Sequence, residues 1–236
     1  MDANIGFIGA GNMANSLIRG LINHGASPER IWAADIDSAK LELLADECGI
    51  NTGDNTAVAA QCQVLVLAVK PQVMPEVAAK LGEMLSGQQP QPLIVSVAAG
   101  ITIGLLQRWL GNDLAIIRCM PNTPALIGFG ATGLFANDKT GSDQRALAEG
   151  ITSSVGVSVW VNDEQAIDAV TALSGSGPAY FFLFMEAMQE AALEMGLNAE
   201  TARTLTYQTA LGAAKLAMDS EDSSAELRRK VTSPRG

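Results

Sequence analysis

Residues 4 to 14 read Asn4-Ile5-Gly6-Phe7-Ile8-Gly9-Ala10-Gly11-Asn12-Met13-Ala14. Ile5, Phe7 and Ile8 make a short buried strand, and Gly9 to Ala14 follow as G-x-G-x-x-A. Gly9 permits the tight turn out of the strand. Gly11 lacks a Cβ, so a diphosphate can approach the backbone. Ala14 is small enough for the next helix to lie close on the sheet. Leu17, Ile18, Leu21 and Ile22 continue at helical spacing, which puts the glycines between a strand and a helix. A helix N-terminus there offers free N–H groups and the positive end of its dipole to phosphate oxygens.

Outward from this stretch the first half alternates strand and helix. Strands are expected at 30–34, 64–69, 93–97 and 115–119, with helices at 38–48, 73–85 and 102–110. Val64-Leu65-Val66-Leu67-Ala68-Val69 is an unbroken apolar run, as in parallel strands covered on both faces. This spacing predicts an α/β fold with a doubly wound parallel sheet. Further strands are expected at 131–135 and 155–161, flanking a helix at 142–153. After Asn162 the pattern is helical only: 163–173, a long helix from Pro178 to about Met195, another from Ala199 to about Asp219, and a last one from Ser224. The change sets a boundary near Val161, with a dinucleotide-binding domain at 1–161 and an all-helical domain at 162–236.

Composition narrows the function. The chain has 236 residues and a formal charge of −10, so nucleic acid is excluded as a general partner. No apolar run approaches the roughly 20 residues that span a bilayer. The N-terminus enters a strand directly, without a secretory pattern. Cys48, Cys62 and Cys119 are far apart and odd in number, which fits a reducing cytoplasm and argues against disulfides and zinc. His24 is the only histidine and lies in a turn, so Ser-His-Asp triads and His-based metal sites fall away. The C-terminal part carries Met185, Met188, Leu193, Leu211, Ala213, Ala214, Leu216 and Met218. So few helices cannot bury that much apolar surface alone, which predicts a homodimer through the helical domain.

In such sheets ligands bind beyond the carboxyl ends of the strands. Gly9 to Ala14, Asp35, Lys70-Pro71 and Ala98-Ala99-Gly100 all land there. A carboxylate at Asp35 can accept both adenosine ribose hydroxyls and repel a 2′-phosphate, which favours NADH over NADPH. Asp35 read as a solvent-facing loop residue is the alternative. Asn122 and Thr123, in Met120-Pro121-Asn122-Thr123-Pro124, can present polar groups toward a nicotinamide or substrate. Ser174-Gly175-Ser176-Gly177-Pro178 is a small-residue loop that exposes N–H groups at a helix start. Either loop can equally be a capping turn.

Together these motifs resemble pyrroline-5-carboxylate reductase. The matching stretches are IGFIGAGNMA at 5–14, AVKPQ at 68–72, SVAAG at 96–100, RCMPNTPA at 118–125, DAVTALSGSGPAY at 168–180, LGAAK at 211–215 and VTSPRG at 231–236. The resemblance implies reduction of 1-pyrroline-5-carboxylate to L-proline by NADPH or NADH, the last step of proline biosynthesis, in the cytoplasm. It implies a Rossmann-type sheet followed by a helical dimerisation domain, and often a ring of dimers. Carried over by position, Ile8, Gly9, Ala10, Gly11, Asn12 and Met13 would hold the diphosphate, and Asn55 would face the adenosine ribose. Ala68, Val69, Lys70 and Pro71, with Ala98, Ala99 and Gly100, would line the nicotinamide half. Ser233 and the turn to Gly236 would hold the substrate carboxylate, with Glu164 a further candidate on the substrate side. No residue is assigned as a catalytic acid or base, and no metal is implied.

Two departures stand out. The family usually prefers NADPH, whereas Asp35 pulls toward NADH. The family's turn continues past the glycine with threonine and further helix, so the chain looks C-terminally shortened. A 3-hydroxyacid dehydrogenase of similar two-domain build is the rival; its chemistry would want a Lys or His in the second domain, and Lys215 is the interior candidate. A nonenzymatic nucleotide-binding protein is the third possibility.

Overall fold

A computed structural model of the chain describes residues 3–111 and 113–232. In order, the first part comprises β1 (Ile5–Ile8), α1 (Asn12–Asn23), β2 (Ile31–Ala34), α2 (Ser38–Cys48), β3 (Asn51–Thr52), α3 (Asn55–Gln61) and β4 (Val64–Leu67). It continues with α4 (Met74–Leu85), β5 (Leu93–Ser96), α5 (Ile103–Leu110), β6 (Ile116–Met120), β7 (Gly130–Ala136), α6 (Ser142–Ser153) and β8 (Gly156–Trp160). The strands form one sheet in the order β3-β2-β1-β4-β5-β6-β7-β8.

β1 lies between β2 and β4, parallel to both, with Ile5 opposite Ile31 on one side and Val64 on the other. The apolar run in β4 is explained by the two faces it serves. Val64 and Val66 join Phe7, Leu17, Ile18, Leu21 and Ile117 on one face of the sheet. Leu65 and Leu67 join Ile8, Met74, Leu81, Ile94 and Leu106 on the other. With helices on both faces, neither set of side chains needs a polar neighbour.

β1 to β6 pair parallel throughout, as expected for the alternating first half, and the two further strands extend the sheet differently. β7 runs antiparallel to β6, with Cys119 opposite Leu134, and β8 is parallel to β7. The physical reason is the short link between β6 and β7, a 3-10 turn over Thr123–Ile127. A parallel return needs a crossover of a dozen or more residues, which this link lacks and α6, between β7 and β8, supplies.

The remaining elements are α7 (Ala166–Val170), α8 (Gly177–Glu194), α9 (Ala199–Asp219) and α10 (Ser224–Val231). The chain divides into two compact units, 1–178 and 179–236. The break in contacts therefore falls after Pro178, beyond the change of pattern at Val161. α7 is the cause: its Ile167 is buried, and its Asp168 pairs with Arg118 of β6. In the second unit Tyr180, Phe181, Phe182, Leu183 and Phe184 are each more than half exposed, as are Tyr207, Leu211 and Leu216 of α9. Five consecutive apolar side chains cannot all face one neighbouring helix, so this surface is built for more than the helices of its own unit.

Candidate active site

The β1–α1 turn is laced to its neighbours. The Gly9 N–H donates to the Ala34 carbonyl at 2.8 Å, and the Ala68 N–H donates to the Ile8 carbonyl at 2.9 Å. Gly9 has φ 99°, and a Cβ there would lie 2.8 Å from the Ala68 carbonyl oxygen, so both backbone and space demand glycine. Gly11 is different. Its backbone is extended, φ −72° and ψ −176°, and a Cβ would meet nothing within 4 Å. Its smallness serves nothing inside the protein and leaves room for something outside it.

The start of α1 points to what that is. Gly11 stands at the cap position and has no side chain to offer the first N–H groups, and the first turn carries no acid. Three other helices close their own starts: Asp37 accepts from the Lys40 N–H, Asp54 from the Ala57 N–H, and Thr102 from the Leu105 N–H. An uncapped, exposed helix start beside an open glycine fits an anionic ligand, and the residues present suit a diphosphate. Gly11 and Asn12 are exposed and Met13 is half-buried, whereas Ile8, Gly9 and Ala10 are buried beneath them.

Asp35 follows β2 at the same edge, half-buried. Its Oδ2 accepts from the Ala10 N–H at 2.7 Å and its Oδ1 from the Asp37 N–H at 3.0 Å. Ile36 is fully exposed beside it. Lys40 lies one helical turn on, with its Nζ 3.1 Å from Asp37 Oδ2. Hydrogen bonding to that carboxylate raises the Lys40 ammonium above its ordinary range and lowers Asp37 below its own. Asn55, half-buried, opens α3 behind the Asp54 cap.

Ala68 and Val69 are half-buried at the end of β4, and Lys70 is exposed before Pro71. Beyond β5, Ala98 is buried while Ala99 and Gly100 are exposed in a turn with Gly100 at φ 75°. The carboxyl edge of the sheet thus brings 8–13, 35, 68–71 and 98–100 together in one unit, as the strand order requires.

Other expected residues have different tasks. Glu164 Oε1 accepts from the Ile103 N–H at 2.7 Å, at the start of α5, and from Arg118 Nη1 at 3.2 Å. It thereby clamps the start of α5 to β6 within the first unit. Asn122 does not turn its polar atoms toward a ligand. Its Oδ1 accepts from the Ala131 N–H at 2.9 Å and its Nδ2 donates to the Ser174 carbonyl at 3.0 Å, tying β7 to the segment around Ser174. Thr123 is exposed. The segment around Ser174 is not an open loop: residues 171–175 form a wide helical turn after α7, and the Ser176 N–H is spent on the Thr171 carbonyl at 2.8 Å. Ser233 and Gly236 lie outside the described residues.

Lys215 is exposed on α9 and paired with Asp219 at 3.2 Å. His24 Nδ1 lies 2.9 Å from the Gly20 carbonyl at the end of α1. Burial pushes the thiols of Cys62 and Cys119 up to about 12, so neither is a nucleophile at neutral pH. Among the described residues no cluster of His, Cys, Asp and Glu could hold a metal ion, and no helix is long and apolar enough to cross a membrane. Sequence reasoning gave Arg118 no role. A lone arginine inside the apolar strand Ile116–Met120 was the available signal.

Comparison with known proteins fits this geometry. A family model described as NADP oxidoreductase, coenzyme F420-dependent, matches residues 4–100, and one described as pyrroline-5-carboxylate reductase dimerisation matches 164–236. Fold, edge and models define an NAD(P)H-dependent oxidoreductase: a Rossmann-type sheet followed by a helical dimerisation domain. A pyrroline-5-carboxylate reductase of Pseudomonas aeruginosa is 51% identical over 233 residues, covering 98% of this chain and 84% of its own length. The chain belongs to the pyrroline-5-carboxylate reductase family, whose members reduce pyrroline-5-carboxylate to proline. Two solved structures of such reductases agree. That from Coxiella burnetii is 47% identical with a TM-score of 0.93, covering 100% of this chain and 87% of the other. That from Plasmodium falciparum, with NADP bound, is 29% identical with a TM-score of 0.87, covering 100% and 86%. The dimerisation match starts upstream of Pro178, so residues 164–178 belong to that domain by sequence while packing on the sheet.

Proposed function

We propose that this chain reduces 1-pyrroline-5-carboxylate to L-proline by positioning rather than by acid–base catalysis. The observation that carries the proposal is the exposed, uncapped start of α1 at Gly11. Held against the start of α1 and the turns at Ala68 to Pro71 and Ala98 to Gly100, NAD(P)H would supply the hydride for the electrophilic imine carbon. A protonated imine already carries its own proton, so the product amine forms without a donor from the protein. The protein's part is to bring the reacting carbons to roughly 3–3.5 Å and keep water out.

Within this proposal the first N–H groups of α1 and the open face of Gly11 hold the diphosphate. Asp35 and Asn55 face the adenosine ribose. Ala68 to Pro71 and Ala98 to Gly100 wall the nicotinamide half, with exposed Lys70 near the cofactor's charged middle. Ser233 and Gly236 take the substrate carboxylate. Two chains associate through the apolar surfaces of α8 and α9, and further association into a ring of dimers extends the same scheme. The reducing cytoplasm suits the three free cysteines.

The test is oxidation of NADH and of NADPH with pyrroline-5-carboxylate, set against reduction of NAD⁺ and NADP⁺ with 3-hydroxy acids. Imine-dependent oxidation is expected. Activity on hydroxy acids alone would overturn the proposal.

A further inference from the structure

We propose that Glu164, steered by the buried Arg118, is a positioning residue for hydride transfer, because it anchors the far end of the Ala98–Gly100 turn. This rests on the placement of the nicotinamide half given above and deepens it.

The turn is free in its middle and held at its ends. Ala99 and Gly100 are exposed, and Gly100 takes a positive φ of 75°, so the local backbone does little to fix the turn. At the near end the Val97 N–H donates to the Leu67 carbonyl at 3.1 Å. That bond ties the turn to β4, just before Ala68 to Pro71. Between the two ends, the Ala98 N–H reaches Ser96 Oγ only at 3.4 Å. At the far end the Ile103 N–H opens α5 and donates to Glu164 Oε1 at 2.7 Å. A carboxylate acceptor makes this a charge-assisted bond, and it sits at the positive end of the helix dipole.

Arg118 gives that anchor a fixed origin. Its backbone lies opposite Ser96, the last residue of β5, in the sheet register. Its side chain, 4% exposed, donates through Nη1 to the same Glu164 oxygen at 3.2 Å. One residue of β6 is therefore opposite the beginning of the turn through its main chain and reaches the end of it through Glu164. Two donors converging on Oε1 leave the Glu164 side chain little freedom to swing. Glu164 itself comes from the segment between β8 and α7, so the anchor does not belong to the strands that carry the cofactor. Hydride transfer is sensitive to such an anchor, because a misplacement of about 1 Å in the wall of a site can cost a hundredfold in rate.

Glu164→Ala removes the anchor, and Glu164→Gln keeps an acceptor for the Ile103 N–H. At a temperature where both are folded, kcat for pyrroline-5-carboxylate reduction should fall roughly ten- to a hundredfold in Glu164→Ala and stay within about threefold of wild type in Glu164→Gln. Affinity for ADP-ribose, which has the adenosine and diphosphate but no nicotinamide, should be unchanged in calorimetry. Cofactor deuterated at both C4 positions should show a larger isotope effect on kcat in Glu164→Ala than in wild type, because the slowed step is the transfer itself. Arg118→Met combined with Glu164→Ala removes the buried charge together with its partner, so the urea midpoint should rise above that of Glu164→Ala. The Ile103 N–H still lacks its acceptor in the double variant, so kcat should remain low. Should Glu164→Ala fail to fold, the double variant carries the same comparison.

Unchanged kcat in Glu164→Ala, an isotope effect that does not grow, or turnover that returns with stability in the double variant overturns the proposal. So does a Glu164→Gln enzyme as slow as Glu164→Ala, or a loss of ADP-ribose binding in Glu164→Ala. A wild type that binds neither ADP-ribose nor a whole dinucleotide would instead remove the cofactor site on which the proposal rests.

Discussion

Arg118 on β6 and Glu164 ahead of α7 meet across the end of the sheet, with Nη1 3.2 Å from Oε1. The arginine side chain is 4% exposed and Glu164 27%. The second partner of Arg118, Asp168, lies at 3.4 Å and is 79% exposed, so it is largely screened by solvent. Glu164 is therefore the group that balances a buried charge, and the same oxygen takes the Ile103 N–H. Removing it with Glu164→Ala should cost about 3 kcal/mol of folding free energy, because Arg118 keeps only the solvent-screened Asp168 and the Ile103 N–H loses its acceptor. Glu164→Gln, which keeps an acceptor, should recover part of that loss. Urea unfolding measures both, and equal stability of all three proteins would show that the clamp contributes nothing.

The two glycines of the β1–α1 turn should respond oppositely. Gly11→Val adds a side chain into open space with an ordinary backbone conformation, so stability should change by no more than about 0.5 kcal/mol. Cofactor binding should be abolished, since the added methyl groups stand where the diphosphate must approach. Gly9→Ala should instead destabilise the fold by about 2 kcal/mol or more, from its positive φ and the crowding against Ala68. Thermal melts and calorimetry with NADH separate the two effects. Normal cofactor affinity in Gly11→Val would exclude the turn as the binding site.

The buried thiols of Cys62 and Cys119 give stability a definite alkaline limit. Both are held protonated up to about 12 by desolvation, from an ordinary value of 9.0. A raised folded-state value means that the folded protein keeps a proton the unfolded chain releases. Their contribution is fully present below pH 9 and is lost as pH rises toward 12. Each thiol should take away about 1.4 kcal/mol per pH unit within that window. Cys119→Ala should make the fall shallower, as read from denaturant midpoints across the window, and an unchanged slope would exclude this origin.

The exposed apolar surface of α8 predicts the assembly. In light scattering the wild type should run as at least a dimer. Phe182→Glu combined with Leu183→Glu should give a monomer, because each places an unpaired charge in a dry interface. A dimer that survives both charges would place the interface elsewhere.

Several elements were legible residue by residue. The helices at 38–48, 142–153 and 199–219 occur as expected, because apolar spacing and a cap such as Asn198 are local signals. The glycine turn and the two-faced strand at Val64 were legible for the same reason. β3, only Asn51–Thr52, and the short α3 left no pattern, because two polar residues join a sheet only when a neighbouring strand offers its backbone. The antiparallel turn into β7, the docking of α7 on the sheet, and the partners of Asn122 and Glu164 were decided by tertiary structure alone. A side chain's type says that it needs a hydrogen-bond partner. Only the folded chain determines whether that partner is a ligand or a backbone amide brought from dozens of residues away.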